Sequence, residues 1–244
     1  MTRRRWIADK WDEHTAQLSG AQAAHLARVL RAQTGMQFDI VTGDRVRRGE
    51  IVEISDLIIA FSLGEEIDRD PALPVTLLLA VFKFDRFEWA IEKATELGVE
   101  RIVPVIARRT EKHLAQAAAT RVERWRRIAR EAAQQSRRSQ ELAMSDAMQL
   151  KEVIAEEPEA IRLLLSENEQ NTTLRDALNA SGSISANSDF RRVRLAIGPE
   201  GGWTSEEEAL FADQNWKPVT LGPRILRAET AAIAAASVVS ALLD

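Results

Sequence analysis

The sequence predicts an α/β protein built on a parallel sheet, preceded by a smaller β-rich module. Three observations carry this. Beyond Pro74, short apolar runs alternate with helix-period segments; up to residue 66, apolar and polar residues largely alternate; and two glycine-bearing turns each follow an apolar run and open a helix. With 244 residues, 45% of them hydrophobic, the chain can bury a core in each part.

In the first part, residues 20–35 (GAQAAHLARVLRAQTG) space Ala24, Leu26, Val29 and Leu30 along a helical stripe that ends at a glycine, so a helix is expected there. Residues 37–66 alternate around the turn Thr42-Gly43-Asp44, as strands of a small barrel-like module do. Residues 67–74 (IDRDPALP) carry charges and two prolines and read as a linker. Strands are then expected at residues 75–82, 101–107, 160–166, 192–198 and 217–222. Helices are expected at residues 85–97, around 121–136, and from Ala228 onward. Residues 179–189 (NASGSISANSD) are polar and of low complexity, and read as a disordered surface loop. The expected domains are residues 1–70 and 71–244.

The composition narrows the chemistry. There is no cysteine, and His14, His25 and His113 are scattered, so neither a thiolate centre nor a zinc site is expected. The basic start lacks an apolar core behind it, unlike a signal peptide, and the apolar run at 231–243 is too short and alanine-rich to span a bilayer. A soluble, cytoplasmic protein without metal or membrane is expected. Residues 101–140 hold eleven Arg or Lys against three Glu, a local balance of +8, which leaves −12 for the rest of a chain whose total is −4. A face for a polyanion such as nucleic acid and a merely solvated helix face both remain open.

Three strand ends should meet at the carboxyl edge of one parallel sheet, where open α/β folds bind ligands: Leu165-Ser166-Glu167, residues 197–202 within LAIGPEGGW, and residues 221–226 within LGPRILRAETAA. Neither G-x-x-x-x-G-K-[ST] nor G-x-G-x-x-G occurs, so a nucleotide-like ligand would be held in some other way. Ordinary tight turns are the competing explanation for each loop.

Taken together, IGPEGGWTSEE, LGPRILRAETAA, KATELGVERIVP, RWRRIAREAAQQSRR and HLARVLRAQTG, spread from about His25 to the C-terminus, resemble the RsmE-type 16S rRNA (uracil-N3)-methyltransferases of the SPOUT superfamily. The resemblance implies an N-terminal PUA-like β-barrel that grips RNA, and a C-terminal SPOUT domain with a parallel sheet and a deep trefoil knot. It also implies S-adenosyl-L-methionine as cofactor, a homodimer, and methylation of N3 of one uridine in 16S rRNA of the small ribosomal subunit. Carried onto this chain, the cofactor contacts fall on Leu165, Ser166, Glu167, Ile197, Gly198, Glu200, Gly201, Gly202, Leu221, Gly222, Ile225 and Leu226. For Glu200, ligand contact and loop bracing are both open.

Removing the N3 proton puts negative charge on the uracil oxygens, and a fixed cation would stabilise it. Arg227 is the first candidate and Arg224 the second; bracing a loop, or pairing with Glu229, is the alternative for either. Arg28, Arg31, Arg109, Arg137 and Arg138 are the expected phosphate contacts. Trp125 sits at helical spacing and is expected in a core or interface rather than as a stacking platform. Phe84 stands where the family often has a small residue. Two rival readings are a SPOUT enzyme acting on another rRNA or tRNA nucleotide, and a non-catalytic ribosome-assembly protein that binds RNA.

Overall fold

A computed structural model describes residues 5–43, 45–55, 57–67, 72–136, 138, 140–181 and 192–243. The chain divides into two compact units, Met1–Pro71 with Ala133–Gln140, and Ala72–Ala132 with Glu141–Asp244.

The first unit contains β1 (Arg5–Ile7), β2 (Lys10–Trp11), β3 (Thr15–Ser19), α1 (Gly20–Ala24), β4 (Gln37–Thr42), β5 (Arg45–Ile54) and β6 (Ile58–Ile67). They form one sheet in the order β1-β4-β5-β6-β3-β2, antiparallel apart from the β1–β4 pair. Alternation sends Ala16 and Leu18 from β3, Ile51 from β5, and Ile59 and Phe61 from β6 into a shared core. Each large apolar side chain buried in this way contributes about 1.5–3 kcal/mol.

The expected helix over residues 20–35 is shorter and differently wound. After α1 the chain makes a π-helical turn, His25–Val29, in which Leu30 N–H donates to the His25 carbonyl at 3.2 Å. A π turn holds more residues than the 3.6 assumed in drawing a stripe, so the stripe rotates off its face. Ala23 and Leu26 are buried, whereas Val29 is 64% exposed. Just beyond the turn stands Arg31, whose φ of 51° is left-handed, four residues before Gly35.

The second unit contains β7 (Leu73–Ala80), α2 (Phe84–Glu96), β8 (Val99–Ile106), α3 (Lys112–Gln135), β9 (Ala143–Met144), β10 (Met148–Gln149), α4 (Leu150–Val153), β11 (Ile161–Leu165), α5 (Leu174–Ala180), β12 (Val193–Ile197), α6 (Ser205–Asp213), β13 (Lys217–Val219) and α7 (Ala228–Leu243). The last residues of α3 cluster with the first unit. The sheet order is β10-β8-β7-β12-β11-β13, with β9 also on β8, and every pair is parallel. This is the α/β class with a parallel sheet that the alternation predicts.

Central strands are covered on both faces, which explains their unbroken apolar runs. Leu77 and Leu79 of β7 face one core, with Phe87, Ile91, Trp125, Ala232 and Val239. Leu78 and Ala80 face the other, with Val103, Ala196, Trp203, Phe211 and Trp216. Trp125 is fully buried, its ring 4.6 Å from Phe87 and 5.9 Å from Phe84, so it is a core residue. Residues 73 and 74 of the expected linker belong to β7; residues 68–71, and all but the first three residues of the expected 179–189 loop, lie outside the described residues. Helix α3 begins nine residues before the expected start.

Candidate cofactor cleft

Three loops leave the carboxyl ends of β11, β12 and β13. The loop after β12 is shaped by a turn in which Gly202 N–H donates to the Pro199 carbonyl at 2.8 Å, with Gly202 at φ 69°. Side chains rarely adopt that backbone conformation, which explains a glycine there. Arg109 Nη1 donates to the carbonyls of Gly201, at 2.5 Å, and Trp203, at 3.1 Å. Thr204 and Glu207 form a capping box, with Glu207 Oε2 accepting from Thr204 N–H at 2.9 Å, which starts α6 directly behind the loop. Glu207 Oε1 accepts from Arg108 N–H at 2.8 Å, so this buried carboxylate is satisfied on both oxygens.

The loop after β11 is tied to the neighbouring one. Ser166 N–H donates to the Val219 carbonyl at 3.1 Å, Thr220 N–H to Thr172 at 2.9 Å, and Leu174 N–H to Thr220 at 2.9 Å. Glu169 accepts from the N–H groups of Thr172 and Asn171, each at 2.8 Å, and these bonds hold its carboxyl below the usual range. The loop after β13 turns at Gly222, whose φ is 113° and whose N–H donates to Thr220 Oγ1 at 3.2 Å.

Together the loops enclose a cavity of about 1170 Å³. All twelve residues expected to touch a cofactor lie on its wall, as do Arg224 and Arg227. Glu200 accepts from Arg86 Nη1 at 2.6 Å. The Arg224 and Arg227 side chains are exposed and meet no partner among the described residues, and the nearest cation to Glu229 is Arg86, at 3.8 Å. The sequence reading missed Lys83, Arg86, Asn168, Glu169, Trp203 and Glu208 on the same wall. Lys83 and Arg86 follow β7, another strand of the same parallel sheet, so the strand-end rule applied to every strand would have found them.

The expected phosphate contacts are scattered. Arg28 lies on the π turn and Arg31 just after it, both exposed; Arg109 sits on the cavity wall; Arg138 is half-buried; Arg137 lies outside the described residues. Much of the basic stretch is paired, partly with acids from outside it: Arg121 and Arg124 approach Glu88, Arg126 approaches Glu123 and Asp146, Arg127 approaches Glu131, and Arg130 approaches Glu141. Exposed pairs of this kind are weak and screened by salt, so a phosphate can compete for these arginines. Phe84 closes the first turn of α2, with Arg121 stacked 4.8 Å above its ring.

Comparison with known proteins gives this geometry its relatives. The RNA methyltransferase domain family matches residues 69–240. A ribosomal RNA small subunit methyltransferase E from Synechocystis is 34% identical over 236 residues, covering 95% of this chain and 75% of that protein. A crystal structure of the Neisseria gonorrhoeae ribosomal RNA small subunit methyltransferase E, bound to S-adenosyl methionine, matches with a TM-score of 0.81 at 28% identity over 98% of both chains. A methyltransferase structure from Legionella pneumophila, also with the bound cofactor, matches with a TM-score of 0.80 at 27% identity, over 99% of this chain and 98% of that one. The chain belongs to the RNA methyltransferase family, in the group of ribosomal RNA small subunit methyltransferases E.

Proposed function

We propose that this protein transfers the methyl group of S-adenosylmethionine to N3 of one uridine in 16S rRNA of the small ribosomal subunit, in the cytoplasm. The observation that carries the reading is the cleft at the sheet's carboxyl edge, in a chain whose fold is matched along almost its whole length by two structures that hold this cofactor. The residues fit it. Gly202 and Gly222 have backbones that side chains rarely adopt, the apolar Leu165, Ile197 and Leu221 supply walls, and the buried Trp203 Nε1 has no acceptor among the described residues. Glu167, Glu169 and Glu208 bring negative charge to a wall suited to a cationic ligand.

When bound, the cofactor supplies an electrophilic methyl group on a positively charged sulfur. The chain's own contribution is position and charge. Arg227 and Arg224, on the cavity wall and without a partner among the described residues, are placed to stabilise the negative charge that builds on the uracil oxygens as N3 gives up its proton. An arginine already held by a carboxylate would serve less well.

The domains are a PUA-like RNA-gripping barrel over residues 1–70 and a SPOUT domain with a deep trefoil knot over residues 71–244. A knotted path is supported by β13 lying at one end of the sheet while α7, the next element, packs against central β7 and β12. The segment between them is bonded to residues 172–174. A homodimer through α7 is supported by half-buried Ile233, Ala234, Ser237 and Val238 on that helix. The reading is tested by mapping modified uridines in 16S rRNA from cells lacking the gene, with methyl transfer to purified small subunits in parallel. A missing N3-methyluridine restored by the protein is expected; an unchanged uridine map overturns the assignment.

A further inference from the structure

The geometry points to Arg86 as a positioning residue that locks two walls of the cleft into one cofactor-binding shape. This rests on the cofactor reading of the cleft and goes beyond it, because it gives Glu200 the role of a strut rather than of a ligand contact. Arg86 lies in the first turn of α2, on the cavity wall. That turn is anchored from beneath, where Phe84 and Phe87 pack on the buried Trp125. From this fixed base the guanidinium reaches two carboxylates that belong to different walls. Glu200, in the loop after β12, accepts from Nη1 at 2.6 Å, and Glu229, in the first turn of α7, lies 3.8 Å from Nε.

Glu229 is only 5% exposed, and its Oε2 is buried without a hydrogen-bond partner among the described residues. A buried carboxylate is costly without a nearby cation, so Glu229 fixes where Arg86 must stay. Its chain neighbours Arg227 and Ala228 line the cleft. Lys83 lies 3.9 Å from the other oxygen of Glu200, a weaker contact from an exposed side chain. The planar fork of arginine serves two carboxylates at once, which an ammonium does less well.

The test uses calorimetry with S-adenosylhomocysteine on the full-length protein. Arg86→Ala should bind about ten- to a hundredfold more weakly, the loss expected for one charge-assisted hydrogen bond. Arg86→Lys should fall between this variant and wild type. Adding Glu229→Gln to Arg86→Ala should recover part of the affinity, because the uncompensated buried charge is gone. Adding Glu200→Gln to Arg86→Ala should cost nothing more. In methyl transfer, the defect should appear in KM for the cofactor, with kcat at saturation within a few-fold of wild type. Wild-type affinity in Arg86→Ala, no recovery with Glu229→Gln, or a defect confined to kcat would each overturn the inference. Failure of the unmutated protein to bind S-adenosylhomocysteine would instead remove the cofactor reading itself.

Discussion

Two pairs of arginines, one at each end of the parallel strands, are in opposite circumstances. At the amino end, Arg162 and Arg194 are buried. Arg162 donates to the carbonyls of Gln214, at 2.8 Å, and of Ala155 and Glu156, each at 3.0 Å. Arg194 donates to Val153, at 3.0 Å, and to Glu156, with the Glu156 carboxylate nearby and the Trp216 ring 5.6 Å away. The bonds to Val153, Ala155 and Glu156 satisfy carbonyls left open where α4 ends, and the bond to Gln214 does the same behind α6. Burial pushes the Arg194 pKa down, and Glu157 and Glu156 oppose that shift. At the carboxyl end, Arg224 and Arg227 are exposed and have no partner among the described residues. Saturated arginines hold a fold together, and unsaturated ones are available to a ligand.

The largest expected effect is at the saturated end. Arg194→Ala removes a fully buried side chain with its bonds to Val153 and Glu156 and its packing on Trp216, leaving a cavity, and should cost about 2–5 kcal/mol of stability in chemical denaturation, with cofactor affinity per folded molecule unchanged. A loss below about 1 kcal/mol would break the contrast. Arg227→Ala should do the reverse, leaving stability within about 0.5 kcal/mol while single-turnover methyl transfer falls on the order of a hundredfold. Transfer at the wild-type rate would show that an unpaired arginine on this wall is not thereby a catalytic one.

A smaller effect is expected for the loop itself. Gly202→Val forces a branched side chain into a left-handed backbone, a strain of about 1–3 kcal/mol that should appear as a fivefold to hundredfold loss of cofactor affinity by calorimetry. Gly201 is a poorer site for this test, because its φ is not positive and an added Cβ would meet Arg109 Cδ at 3.3 Å.

The smallest effect concerns Glu169. Its folded pKa is lowered by the N–H groups of Thr172 and Asn171, so its contribution is complete above the ordinary carboxyl value of 4.5 and is lost as pH falls through the lowered value. Exchange protection of the Asn171 and Thr172 amides should therefore fall on acidification in wild type and be low at every pH in Glu169→Gln. Equal protection in both would remove Glu169 from the loop's support.

What could be read from the sequence divides along the same line. The strand ends were legible because glycine and proline interrupt apolar runs at Gly198 and Pro199, and again at Gly222 and Pro223. The residues named from those ends line one cavity. Burial of Trp125 was legible from its helical spacing. The pairings were not, since Arg86 meets Glu200 across 114 positions of chain and Arg124 meets Glu88 across 36. The net charge of a stretch counts cations and says nothing of which are already answered. The π turn was missed because a stripe drawn at 3.6 residues per turn cannot show where the winding changes.

The order in which the cleft's walls occur along the chain has a consequence for how the protein is made. Two walls are present once β12 and its loop have been synthesised, but the third, from Thr220 to Ala228, comes after every strand of the sheet. A nascent chain halted before Thr220 lacks that wall, and neither Arg224 nor Arg227 exists yet. Chains are built at about 5–20 residues per second and fold largely as units. Cofactor affinity should therefore arrive late and abruptly as the C-terminal segment emerges, so that a partly translated copy cannot draw on the cofactor pool.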